Sequence, residues 1–180
     1  MQDSPQRLEK FLSRQARKRH LAFIWASLAG LRPGMTILDI GSGPALLAAT
    51  YAALTGPTGL VYAIEPSLSP AETAQNLIHL AQDATTPIIL PTKPDIAFLT
   101  DTLHHAQNPE KILAAVHATT PQKILVADYD PTQPGLIGAK PHRRLPRQAA
   151  KSLIQNAGFT LTAEHDAPDE HYALLAIPTT

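Results

Sequence analysis

The stretch ILDIGSGPALLAA, from Ile37 to Ala49, leaves the backbone few paths. A β-forming run, Thr36–Ile40, meets Gly41 and Gly43, and an alanine- and leucine-rich run of helical character follows at once. Glycine reaches the left-handed backbone region and lets other groups approach closely, so the pair marks a sharp strand-to-helix turn. A strand feeding directly into a helix opens a β-α-β unit, and the rest of the chain repeats that pattern.

An amphipathic helix is expected over Gln6–Ala29, with Leu8, Phe11, Leu12, Leu21, Ile24, Trp25 and Leu28 near one stripe. After the glycine turn a helix covers Pro44–Leu54, TGPTG turns the chain, and Leu60–Ile64 reads as the second strand. In SLSPAET, Ser69 stands as a cap, Pro70 in the first turn and Glu72 at the capping-box position, which predicts a helix over Pro70–Gln82. A third strand is expected at Pro87–Leu90 and a fourth at Asp95–Thr100. A helix over Pro109–Ala118, opened by Asn108, leads to the fifth strand, Lys123–Asp128. A helix over Pro146–Asn156 stops at Gly158, and Phe159–His165 and His171–Ile177 form a hairpin through DAPDE. Such alternation implies right-handed crossovers. The expected fold is α/β: a doubly wound, mostly parallel, seven-stranded Rossmann-like sheet with a C-terminal antiparallel hairpin. Residues 1–30 are expected to form a helix packed on a domain covering 31–180.

With 44% hydrophobic and 17% charged residues among 180, the chain has the make-up of one globular domain. It has no cysteine, which excludes disulfides, thiolate metal sites and a cysteine nucleophile. Fifteen basic residues balance fifteen acidic ones, which argues against a general nucleic-acid binder. The polar start MQDSPQRLEK lacks a signal-peptide core, and no apolar run reaches the roughly 20 residues of a membrane span. A cytoplasmic location is therefore expected.

In open α/β sheets ligands bind beyond the carboxyl ends of the strands, where strand order reverses, so the glycine turn is the first candidate site. A dinucleotide fingerprint wants a third small residue where Leu46 stands. The loop is not followed by Gly-Lys and a Ser or Thr, which excludes a P-loop. Instead Asp39 lies two positions before Gly41, where a carboxylate repels phosphate and suits an ammonium or sulfonium. A second acid, Glu65, ends LVYAIE at the tip of strand two, where it can accept both hydroxyls of a ribose. Together they describe a ligand with a ribose, a cationic amino-acid end and no phosphate.

The segment GLRPGMTILDIGSGPALLAATYAALTGPTGLVYAIEPS resembles the first half of class I S-adenosylmethionine-dependent methyltransferases, nearest to the small-molecule ubiquinone/menaquinone-type C-methyltransferase group. PDIAFLTDTLHHAQNPEKIL, KILVADYDP and NAGFTLTAEHD with YALLAIP resemble that group's fourth strand, fifth strand and final hairpin. The resemblance runs from Gly30 to Pro178 and implies methyl transfer from S-adenosylmethionine to a small-molecule acceptor. It implies that Gly41, Ser42 and Gly43 follow the methionine moiety, that Asp39 orients its amino end, and that Glu65, with Pro66 beside it, holds the ribose. Thr100 and Asp101 would face the reacting methyl, as would the stretch on to His105. His104 and His105 are the candidate catalytic pair, as a general base or as hydrogen-bonding groups toward the acceptor. Three features depart from the family's pattern. Ala45 replaces the third loop glycine, and TTPQK replaces the usual Pro-Gly-Gly turn before strand five. The usual acid after strand three, which meets the adenine amino group, has no counterpart if that strand is Pro87–Leu90, because Asp83 precedes it and Asp95 opens strand four.

Asp101, His104, His105, Asp128 and Asp130 fall near neighbouring strand tips, but no H-x-x-x-H spacing supports a metal site. Arg7, Lys10, Arg14, Arg17, Lys18 and Arg19 make the first helix basic, which reads as a solvated face, with RNA or an anionic membrane surface as alternative contacts. PGLIGAKPHRRLP, carrying Lys140, His142, Arg143 and Arg144, is expected to border the acceptor. Two other functions stay open at this point. One is a binding protein of the same fold that has lost catalysis; the other is an RNA methyltransferase, for which the N-P-P-Y/F motif of base methylation is missing.

Overall fold

The structure, a computed structural model, describes residues 9, 12, 13, 16, 18–66 and 70–179. Its elements are helix α1 (Arg19–Ala29), β1 (Thr36–Ile40), α2 (Leu46–Thr55), β2 (Leu60–Ile64), β3 (Leu77–Leu80) and β4 (Ile96–Thr100). There follow α3 (Pro109–Ala118), β5 (Lys123–Tyr129), α4 (Arg147–Asn156), β6 (Phe159–Ala167) and β7 (His171–Pro178). Seven strands form one sheet in the order β3-β2-β1-β4-β5-β7-β6. Pairing is parallel from β3 to β5, and β7 runs antiparallel to both β5 and β6. This is the doubly wound sheet that the sequence predicts.

The central strands read as nearly continuous apolar runs because helices cover both of their faces. Alternation along each strand sends Ile37, Phe98 and Leu125 toward Leu21, Trp25 and Tyr51 of α1 and α2. It sends Leu38, Leu99 and Val126 toward Ile112 and Val116 of α3 and Ile154 of α4. Asp39, two residues after Ile37, therefore shares the α1–α2 face. Helix α1 ends where Gly30 turns left-handed at φ 68° and the Leu31 N–H closes back on the Ala26 carbonyl at 2.8 Å. Of the expected first-helix residues, Leu8, Phe11, Arg7, Lys10, Arg14 and Arg17 lie outside the described residues.

The expected helix over Pro70–Gln82 does not form. Leu77–Leu80 is instead a strand, paired with β2 from Val61↔Leu77 to Ile64↔Leu80. The segment before it is tied across α2: the Ala71 N–H donates to the Pro44 carbonyl at 3.0 Å. Asn76 Nδ2 donates to the carbonyls of Ala52 and Gly56 at 2.9 and 2.8 Å, closing the C-terminal end of that helix. Sheet pairing outweighs the local capping signal. Ser69, the expected cap, lies outside the described residues. The strand expected at Pro87–Leu90 is likewise absent; residues 81–95 are irregular, with Ile88 buried and Ile89 86% exposed. Asp95, expected to open strand four, instead joins three strands at their starts. Its carboxylate accepts from the Thr36 N–H at 2.8 Å and from Gln122 Nε2 at 2.5 Å.

Candidate active site

Strand order reverses between β1 and β4, and a cleft opens at the carboxyl ends of these two strands. Asp39, Gly41, Ser42, Gly43, Thr100 and Asp101, all anticipated from sequence, line it together with Lys18 and Leu47. Glu65 joins them from β2, its Oε2 accepting the Gly43 N–H at 3.2 Å. Pro66 is exposed beyond Glu65 and is not among the lining residues.

The two loop glycines do different work. Both have left-handed backbones, φ 69° at Gly41 and 54° at Gly43. A Cβ on Gly41 would stand 2.6 Å from Thr102 Oγ1, whereas one on Gly43 would meet nothing within 4 Å. Thr102 Oγ1 reaches the carbonyls of Ile40 and Thr100 at 2.9 and 3.0 Å and so stitches the β1 and β4 tips together. Gly41 is therefore required for packing within the protein, and Gly43 keeps space open above the loop. The Gly41 and Ser42 N–H groups both donate to the Ile64 carbonyl, at 2.9 and 3.1 Å, which fixes the turn against β2. Ala45 occupies the left-handed region at φ 64°, which costs about 1–2 kcal/mol for a residue with a Cβ. Helix α2 begins after it, at Leu46 rather than Pro44.

Asp39 is the most unusual group in the cleft. Its side chain is buried, and neither carboxylate oxygen has a hydrogen-bond partner among the described residues. Burial pushes the carboxyl up to about 8. An orphaned acid of this kind is suited to a ligand that brings a cation and its N–H donors.

Asp101 lines the cleft but is already engaged. It sits at φ 54°, with Oδ2 2.5 Å from Lys18 Nζ and Oδ1 2.8 Å from His171 Nε2. Burial works upward on its carboxyl, but the His171 and Lys18 contacts outweigh it and hold the group at about 2. Lys18 belongs in sequence to the basic run that reads as a solvated face, and His171 to the closing hairpin. Neither carries a spacing signal that would have found it.

The histidine pair separates into two environments within a short 3₁₀ turn, Leu103–His105. The side chains of His104 and Asp128 are 1% and 0% exposed, and Nδ1 of His104 lies 2.6 Å from Asp128 Oδ1 in a close contact without hydrogen-bond alignment. Asp128 also accepts the His104 N–H at 3.1 Å and the Tyr129 N–H at 2.8 Å. Nε2 of His104 is buried and has no hydrogen-bond partner among the described residues. His105 is exposed, with its ring 3.7 Å from that of His104. Partial desolvation and the neighbouring His104 lower its pKa, which keeps it neutral and able to accept a proton near pH 7. Asp130 turns away to Thr132 and Arg147, and the described residues hold no group arranged to bind a metal ion.

Placing strand three at Leu77–Leu80 also corrects the reading of the acids. Asp83 lies just after that strand, not before it. It is exposed in the loop, and its Oδ1 accepts the Thr85 N–H at 2.8 Å. An acid does follow strand three.

Residues 8–165 match the family model described as a methyltransferase domain. The chain belongs to the methyltransferase family. No curated protein matches the sequence of this methyltransferase. Its fold is similar to that of an S-adenosylmethionine-dependent methyltransferase from Aquifex aeolicus, with a TM-score of 0.77 and 19% identity over 88% of this chain and 89% of that one. It is also similar to magnesium protoporphyrin IX methyltransferase from Synechocystis PCC 6803 with bound S-adenosylhomocysteine, with a TM-score of 0.64 and 15% identity over 91% and 82% of the two chains. The cyclase SpnF shares the fold as well, with a TM-score of 0.73 and 14% identity over 89% and 80%. These likenesses establish the Rossmann-like fold of class I methyltransferases, and the family match establishes the enzyme class.

Proposed function

We propose that this methyltransferase binds S-adenosylmethionine in the cleft between β1 and β4 and methylates a small-molecule acceptor. The observation that carries the reading is Asp39, a buried carboxyl group beside a glycine loop with both oxygens unpartnered among the described residues. Such a group fits the cationic amino end of the cofactor. The other residues fit it too. Gly43 leaves open space for the methionine moiety, and Glu65, steadied by the Gly43 N–H, would accept the ribose hydroxyls. Asp83 would accept from the adenine amino group, in the place where the resemblance leads one to look for that acid.

When bound, the cofactor supplies an electrophilic sulfonium methyl. The chain's own part is mainly alignment, because an in-line displacement gains most from orientation. His105 would take a proton from an acceptor that must lose one, with His104 anchored behind it by Asp128. A small acceptor, as in the ubiquinone/menaquinone-type C-methyltransferases that the sequence resembles, is favoured over RNA. Lys18 and Arg19, two of the basic residues of the first helix, are paired with Asp101 and Glu72 rather than presented.

Calorimetric titration with S-adenosylmethionine and S-adenosylhomocysteine tests the reading; absence of binding by either would overturn it. Glu65→Ala is expected to weaken both roughly 10- to 150-fold, through loss of about 1.5–3 kcal/mol of charge-assisted hydrogen bonding. Undiminished affinity in a folded variant would remove the ribose assignment. Gly43→Val is expected to fold, since its side chain enters open space at a backbone strain of about 1–2 kcal/mol, and to lose cofactor affinity by obstruction. If it binds as the wild type does, the loop is only a turn.

A further inference from the structure

We propose that the segment joining β5 to α4, residues 131–146, is a docking tip for an anionic lipid surface. Its sequence, PTQPGLIGAKPHRRLP, contains no acid and carries Lys140, His142, Arg143 and Arg144, in a chain whose fifteen basic and fifteen acidic residues balance as a whole. Arg144 is turned inward and is 5% exposed. Its guanidinium donates to the carbonyls of Ala139, Asp130 and Ile137, each at 2.7 Å, and pairs with Glu170 at 2.6 Å. Glu170 in turn accepts the N–H groups of Gly135 and Leu136, both at 3.0 Å. The loop is thus folded around a buried ion pair rather than around its own apolar side chains.

Those apolar side chains point the other way. Leu136 is 85% exposed and Ile137 40%, and Lys140, His142 and Arg143 are exposed within the same few residues. Neither Lys140 nor Arg143 forms an ion pair among the described residues. A pre-folded tip with apolar residues at its end and unpaired cations beside them matches the chemistry of an anionic bilayer interface. The apolar side chains enter the acyl boundary while Lys and Arg stay with the headgroups. Two apolar side chains are far too few for a stable protein interface, which needs a much larger contiguous patch. Among the described residues no helix is long and apolar enough to cross a membrane, so the contact would be peripheral. The loop also lies against the end of β5, because Gly138 packs on Tyr129 so closely that a Cβ there would collide with the ring. Lys18, which lines the cleft, stands 5.1 Å from the centre of the same ring, so docking would set the bilayer one side chain away from the cleft.

Co-sedimentation with vesicles tests this, using phosphatidylcholine alone and phosphatidylcholine mixed with phosphatidylglycerol. The wild-type chain is expected to bind the mixed vesicles, less so as salt rises, and to ignore the neutral ones. Leu136→Ser with Ile137→Ser should weaken binding about tenfold or more. Lys140→Glu with Arg143→Glu should weaken it by at least about tenfold. Both double variants should keep wild-type affinity for S-adenosylmethionine, or the wild-type circular dichroism if the cofactor reading fails, which shows that they are folded. Failure of the wild type to bind mixed vesicles would overturn the proposal. So would binding that persists in either double variant, since another surface or charge alone would then be responsible.

Discussion

Asp39→Asn is expected to make the protein more stable while making it a much poorer binder of S-adenosylmethionine. Burial holds the Asp39 carboxyl at about 8, against an ordinary value of 3.8. Between those values the folded chain keeps a proton that the unfolded chain has released, so stability falls as pH rises from about 4 to about 8. Asparagine has nearly the same shape and no charge to bury. The variant should lack that slope and exceed the wild type by on the order of 5 kcal/mol near pH 8, with little difference near pH 4. Melting temperatures across this range decide it; parallel curves for the two proteins would show that Asp39 does not titrate this way. Binding should move in the opposite sense, roughly a hundredfold weaker, because a buried ion pair loses one member. The wild type should also release a proton on binding near neutrality, visible as a heat that depends on the buffer, and the variant should not.

The second large effect concerns turnover. The variant His104→Ala with His105→Ala is expected to keep its cofactor affinity and to lose about 10²- to 10⁴-fold in rate on an acceptor that must be deprotonated. The different surroundings of the two rings sharpen the test. His105 is exposed and its pKa is lowered, so wild-type activity should fall only as pH drops below the usual histidine range. His105→Ala alone should remove that inflection. His104→Ala should act through stability as well, since it takes away the ring that stands against the fully buried Asp128. A double variant within a few-fold of the wild type would mean that alignment carries the reaction and that the pair only shapes the pocket.

Most of the cleft was legible because its signals are local. The acid, the glycines and the start of the following helix lie within a dozen residues, and the second acid, Glu65, follows at the tip of the next strand. Strand three was misread for a physical reason: Pro70 and Glu72 give a strong local helix signal, whereas the pairing of Leu77–Leu80 with β2 is a contact with a strand elsewhere in the chain. That one error moved Asp83 to the wrong side of a strand and made an acid look missing. The partners of Asp101 were out of reach for the same reason. Lys18 and His171 are 83 and 70 positions away from it, and only the folded sheet brings them together.

The place of β7 has a consequence for how the enzyme is made. This strand follows all the others in sequence, yet it lies between β5 and β6 and pairs with both. On a ribosome, the chain up to α4 would emerge with β5 as an open edge, its apolar run KILVADY ready to pair with any extended neighbour. Closure waits for residues 171–178, the stretch that begins with His171, the partner of Asp101. The step that covers the β5 edge is therefore also the step that brings His171 to Asp101. A chain lacking that strand would leave the β5 edge unpaired and Asp101 without its His171 contact, so sheet closure and the wiring of the cleft are one event.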